Sequence, residues 1–204
     1  MSRRDIDKQE LKLLRKRIEK RNEDLAGTFF YRTLDFVLYT LLVMLFALAI
    51  RAVILEPVRV DGLSMHPTLE TADYMLVDKL GYAFAPPRRG DIVVTFFPNG
   101  TDKTFVKRVI GLPGEHVSII GGQVYINGLP LEEPYLKVEL TNAHDGEWDV
   151  PLGEIFVLGD NRMVSLDSTR EGSIPLERVI GRARTVLFPL KDGKILIRPT
   201  YKLP

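Results

Sequence analysis

The 204-residue chain contains no cysteine, which excludes disulfides, thiolate metal sites and a cysteine nucleophile. Histidine is nearly as scarce. His66, His116 and His144 show neither an HExxH motif nor paired-ligand spacing, so no metal and no cofactor are expected. His66 also stands too close to Ser64 in sequence to serve it in line as a base, which argues against a histidine-based triad. An excess of one charge is missing too. A net charge of +1 leaves no basic footprint for nucleic acid. No internal repeat or low-complexity tract is present, so one domain with a sizeable core is expected.

What the chain does have is one long apolar run. Phe36 to Ile50 is uncharged, and beyond Arg51 it continues through Ala52-Val53-Ile54-Leu55. Roughly 20 residues at 1.5 Å each span a bilayer, provided Arg51 snorkels toward a headgroup. The run is apolar on every face, which predicts a transmembrane helix. Upstream, Asp5 to Leu25 mixes charge with Ile6, Leu11, Leu14 and Ile18, and reads as a short solvated or membrane-surface helix. Residues 1–33 carry ten Lys or Arg against six Asp or Glu. By the positive-inside bias they lie in the cytoplasm, and residues from about 58 onward lie outside it.

Beyond Pro57 the pattern turns to β. Tyr74–Leu80, Asp91–Phe97, Phe105–Ile110, His116–Ile120, Gln123–Ile126, Ile155–Leu158 and Arg182–Phe188 are rich in Val, Ile, Phe and Tyr. Turn signals separate them, among them Pro98-Asn99-Gly100, Gly121-Gly122 and Asn127-Gly128. The expected fold is mainly β: a transmembrane helix, then an antiparallel β-barrel or folded-sheet domain with a small β excursion. The expected division is a basic segment at 1–33, an anchor at 34–56, a β core at 57–111 and 153–190, an excursion at 112–152 and a tail at 191–204. Leu131 to Val150 reads as polar and irregular.

Three stretches carry possible chemistry. Asp61-Gly62-Leu63-Ser64-Met65-His66-Pro67-Thr68-Leu69 presents a serine in a Gly and Pro turn, as a nucleophile or as a turn serine bonding its own backbone. Lys107 and Arg108 sit in one strand and point to opposite faces, so one of them must face apolar groups. Buried, Lys107 would titrate below its ordinary range and act as a general base; exposed, it would be an edge-strand lysine. Gly159 to Arg170 packs carboxylates, hydroxyls and arginines behind a strand, as support for a buried amine requires. Its spacing does not follow a calcium loop.

Together these stretches resemble the type I signal peptidase family of membrane-bound Ser/Lys endopeptidases. The resemblance rests on four motifs in the family's order: Ser64-Met65-His66-Pro67-Thr68-Leu69; Arg89-Gly90-Asp91-Ile92-Val93; Lys107 to Glu115; and Gly159-Asp160-Asn161-Arg162 with Ser165, Asp167 and Ser168. It implies that Ser64 is the nucleophile, Lys107 the base and Ser165 the group that orients Lys107. Asp160, Arg162 and Asp167 would brace the loop. Val60, Asp61, Met65, Leu69, Phe105 and Val106 would line shallow substrate pockets selective for small residues. It further implies preprotein signal peptides as substrates, a lipid bilayer as partner, and a bacterial inner membrane as location, with one span and an outer catalytic domain. The alternative is a silent membrane-anchored relative that only binds peptides. Two departures stand out. Gly62 occupies a place where some members have a serine that donates to the oxyanion, and Thr169 stands where an arginine usually pairs with Asp167, leaving Arg170, Arg162 or Arg108 as substitutes.

Overall fold

The computed structural model describes residues 3–97, 103–137 and 144–201; the Pro98-Asn99-Gly100 turn lies outside them. Two compact units are distinguished, Met1–Ile50 and Arg51–Pro204. Helix α1 runs from Arg3 to Ile54 without interruption, where two helical stretches were expected. The physical reason is that the chain from Arg3 to Ile54 contains no proline and a single glycine, Gly27, so nothing ends a helix there. Residues 28–50 are exposed on every side, with Phe36, Leu42 and Phe46 each more than 60% exposed. Among the described residues α1 is the one helix long and apolar enough to cross a membrane.

The second unit is built on antiparallel sheets. Its strands are β1 (Leu55–Arg59), β2 (Tyr74–Asp78), β3 (Ile92–Phe96), β4 (Thr104–Gly111), β5 (His116–Ile120), β6 (Gln123–Ile126), β7 (Leu129–Pro130), β8 (Gly146–Asp149), β9 (Glu154–Leu158), β10 (Ile174–Pro175), β11 (Val179–Phe188) and β12 (Lys194–Ile195). Short helices α2 (Gly81–Phe84) and α3 (Ser168–Glu171) lie between them. The main sheet has the order β1-β2-β11-β3-β4-β9-β10, with β12 added to β11. A four-stranded sheet, β7-β6-β5-β8, is formed from residues 116–149. The chain is thus mainly β beyond α1, the fold class read from the sequence.

Five strands lie outside the sequence reading: the two-residue β7, β10 and β12, and the longer β1 and β8. β1 takes Leu55 out of the apolar run and pairs it with Asp78. Pro57 within it has no N–H to donate, which suits the terminal strand of a sheet. β8 forms inside the stretch read as irregular. It is polar because it is an edge, and Trp148 packs its one large ring against Phe156 at 5.2 Å.

Register decides what the central strands bury. Lys107 pairs with Val93, and Arg108 with Ile92. Val93 and Val109 belong to one apolar cluster with Phe97, Ile155, Val157 and Ile174. Ile92 and Val94 belong to another, with Met65, Leu69, Met75, Val77 and Val186. The second sheet closes over Ile110, Phe156 and Leu158. Both faces of β4 are therefore covered. Lys107 and Arg108 are 1% and 2% exposed, although strand alternation alone required only one of them to be inside.

Candidate active site

The turn that follows β1 is held from below. Met65 and Leu69 are fully buried in the core under β2 and β3, each contributing about 1.5–3 kcal/mol by burial. Backbone bonds from Leu69 N–H to Met65 O (2.9 Å) and from His66 N–H to Leu63 O (3.1 Å) close the turn. Ser64 is left half-buried between these anchors. Its carbonyl accepts from Asn161 N–H at 3.0 Å, which ties the turn to the segment after β9. Gly62 has φ +103°. That backbone geometry strains any side chain, so a serine could not stand here without cost.

The segment after β9 packs tightly on Ser64. A Cβ added to Gly159 would collide with the Ser165 hydroxyl and the Ser64 carbonyl, so only glycine allows this approach. Gly159 is anchored at both ends: its N–H donates to Asp167 (3.1 Å) and its carbonyl accepts from Arg162 Nε (2.9 Å). Arg162 is buried and pairs through Nη2 with Glu133. Asp160 is wholly buried and takes two bonds from Arg108, at 2.8 and 2.6 Å, plus one from the Thr68 hydroxyl. Arg108 also donates to the Gly90 carbonyl (3.1 Å), and its Cζ lies 3.8 Å from the centre of the Tyr135 ring. Glu133 and Tyr135 were not singled out from the sequence, Thr68 and Gly159 stood in motifs without a role of their own, and Arg108 was named only as a candidate partner of Asp167.

Asp167 finds a partner without an arginine. It accepts from Thr169 N–H (3.2 Å) and the Thr169 hydroxyl (2.8 Å) as well as from Gly159, and it caps α3. The three arginines suggested as substitutes go elsewhere: Arg108 to Asp160, Arg162 to Glu133 and Arg170 to His144. The other histidines pair with Glu70 (His66) and with Asp149 (His116).

Lys107 reaches this cluster from β4. Burial holds its amine down at about 8 from an ordinary 10.5, partly opposed by the negative charges of Asp167 and Asp160. Burial disfavours the charged amine because it loses water, while the carboxylates favour it. Ser165 Oγ is buried and has no hydrogen-bond partner among the described residues.

In front of Ser64 lies a pocket of about 430 Å³. It is lined by Val58, Val60 and Asp61 at and after the end of β1, by Phe105 and Val106 of β4, and by Ser64 and Met65. Leu69, expected among the lining residues, lies in the core beneath instead. Both strands offer free backbone. Among the described residues β1 pairs only with β2, and β4 pairs with β9 only from Arg108 onward, which leaves residues 104–107 without a strand partner on that side. An extended chain between β1 and β4 would meet hydrogen-bonding groups on both.

The model of the family described as signal peptidase, peptidase S26, matches residues 33–188. The chain belongs to this signal peptidase family. Similar proteins include signal peptidase I of Leptolyngbya laminosa, 42% identical over 76% of this chain and 80% of that one. Signal peptidase I U of Bacillus subtilis is 39% identical over 76% of this chain and 88% of its own length. A crystal structure of a signal peptidase I from Enterococcus faecalis is 34% identical, covers 47% of this chain and 95% of that chain, and has a TM-score of 0.43. As a signal peptidase, the chain is a serine endopeptidase, which directs attention to Ser64 and its neighbours.

Proposed function

We propose that this signal peptidase removes signal peptides from preproteins with Ser64 as nucleophile and Lys107 as general base. The observation that carries the assignment is a lysine held at about 8 by burial, in a strand beside the loop that touches Ser64. A substantial fraction of such an amine is neutral near pH 7–8 and able to accept a proton. Ser64 Oγ attacks the scissile carbonyl carbon while its proton passes to Lys107 Nζ. The C–N bond then breaks, the amine leaving with that proton, and water hydrolyses the Ser64 ester by the same route. The Ser64 N–H is one donor to the oxyanion.

Ser165 orients Lys107 in this reading; its buried hydroxyl has no other partner among the described residues. Asp160, Arg162 and Asp167 hold Gly159 and the Ser165 loop in place. Val60, Asp61, Met65, Phe105 and Val106 receive the extended residues before the cleaved bond, and Leu69 shapes that pocket from below. The chain divides as 1–33 cytoplasmic, 34–56 membrane anchor, 57–111 and 153–190 catalytic core, 112–152 excursion and 191–204 tail. It sits in a bacterial inner membrane with a single span and its catalytic domain outside. Support for the anchor comes from the largely apolar, exposed surface of residues 28–50 of α1.

The test is Ser64→Ala in the full chain, purified in detergent and assayed on a preprotein with Ala-x-Ala before its cleavage site. Loss of cleavage by roughly a thousandfold or more is expected while the thermal midpoint stays within a few degrees. Unchanged cleavage would remove Ser64 from the mechanism.

A further inference from the structure

A second cavity, of about 210 Å³, lies between α2, the 85–91 segment, β11 and the C-terminal tail. It shares no lining residue with the pocket at Ser64. Four arginines line it: Arg88, Arg182, Arg184 and Arg198. Asp91 lines it with them, and Asp78, outside the lining, pairs with Arg184. Buried Asp91 takes the Nε of Arg198 at 2.9 Å and the Nε of Arg182 at 3.2 Å on Oδ1. Its Oδ2 accepts from the Tyr82 hydroxyl (3.2 Å) and the Arg88 backbone N–H (3.0 Å). Asp78 takes Arg184 on Oδ2, at 3.1 and 2.8 Å, and Gly81 N–H on Oδ1.

Four cations against two anions leave two positive charges over in one concave site. Asp91 already accepts three hydrogen bonds and an ion-pair contact from Arg182, and its closest contacts to Arg182 and Arg198 are through Nε. The terminal nitrogens of those two guanidiniums, the pair that grips a tetrahedral oxyanion in bidentate fashion, are not committed to it. Nothing in the proposed peptidase chemistry uses this cavity. We infer that it is an anion site that takes a phosphate group, supplied either as free phosphate or as the headgroup of an anionic phospholipid.

The experiment uses the full chain in detergent, with inorganic phosphate as probe, followed by thermal shift and calorimetry. A parallel arm compares nanodiscs of phosphatidylglycerol with nanodiscs of phosphatidylcholine. The double variant Arg88→Gln/Arg184→Gln removes two of the four cations. Lys191→Gln/Lys194→Gln, at exposed positions outside the cavity, removes the same net charge as a control. Saturable stabilisation by phosphate is expected, at least about tenfold weaker in the Arg88/Arg184 variant and unchanged in the control. If the source is a lipid, phosphatidylglycerol discs raise the midpoint above phosphatidylcholine discs, and the Arg88/Arg184 variant alone loses the difference. If phosphate binds and the discs do not differ, the source is free phosphate. Should the double variant fail to fold, Arg184→Gln alone, at a half-exposed side chain, gives the same comparison. No saturable effect from either probe, or equal weakening in the control, overturns the site. Cleavage by the Arg88/Arg184 variant in detergent without phosphate stays at the wild-type rate, which separates this result from any failure at Ser64.

Discussion

Replacing Lys107 by Met is expected to abolish cleavage and, near neutral pH, to make the protein more stable. The rate falls by roughly a thousandfold, the range lost with a general base. The stability gain follows from the depressed amine. Lys107 titrates at about 8 in the fold against an ordinary 10.5. Between those values the unfolded chain binds more protons than the folded one, so wild-type stability rises with pH through this window. Below about 8 the fold bears the full cost of a charged buried amine, on the order of 3 kcal/mol. Methionine fills similar volume without a charge. The thermal midpoint of Lys107→Met should therefore exceed wild type clearly at about pH 6 and converge on it by about pH 11. Denaturation scans at both pH values check this; a constant difference would mean that the amine is not depressed by folding.

The second large effect concerns stability alone. Arg108→Met leaves Asp160 buried with the Thr68 hydroxyl as its remaining side-chain donor. An uncompensated buried charge costs about 3–5 kcal/mol. For a chain of this size the thermal midpoint falls by about 10 °C. Combining Arg108→Met with Asp160→Leu removes both charges, and more than half of the loss should return, since an apolar pair of similar volume often replaces a buried ion pair without penalty. Thermal scans of the two single variants and the double variant decide it. A single-variant cost below about 1 kcal/mol would show that the pair is solvated rather than buried.

The two charged residues of β4 illustrate what the sequence allowed. Alternation along a strand places Lys107 and Arg108 on opposite faces, and that holds in the register with Val93 and Ile92. Nothing local says that both faces are covered; that depends on the second sheet and on residues 131–137 arriving from far along the chain. The hairpin from His116 to Ile126 was legible to the residue, because Gly121 and Gly122 supply the positive φ values its turn needs. β1 was not, since five residues after an apolar run look like more of the run until a partner strand draws them away. β8 was hidden by polarity, which a strand at a sheet edge tolerates.

The site divides in the same way. Ser64, Lys107 and the 159–170 segment stand out as motifs, whereas their support comes from contacts distant in sequence. Glu133 meets Arg162 across 29 positions, and Thr68 meets Asp160 across 92. Thr169 was an apparent defect, an arginine missing beside Asp167. Geometry gives it a function of its own, because its hydroxyl and N–H reach the same carboxylate oxygen from within the α3 cap. Gly62 is the converse case. Its place suggested only a missing hydroxyl, and its φ of +103° makes it a position that a serine would occupy under strain.

The most direct measurement of the central claim is the pH dependence of kcat/KM for preprotein cleavage by the full chain in detergent. If neutral Lys107 accepts the Ser64 proton, the rate rises with pH through an apparent pKa of about 8 and levels off above it. A profile that keeps rising toward 10.5, the ordinary range of a solvated lysine, or one that is flat from neutral pH upward, would contradict it.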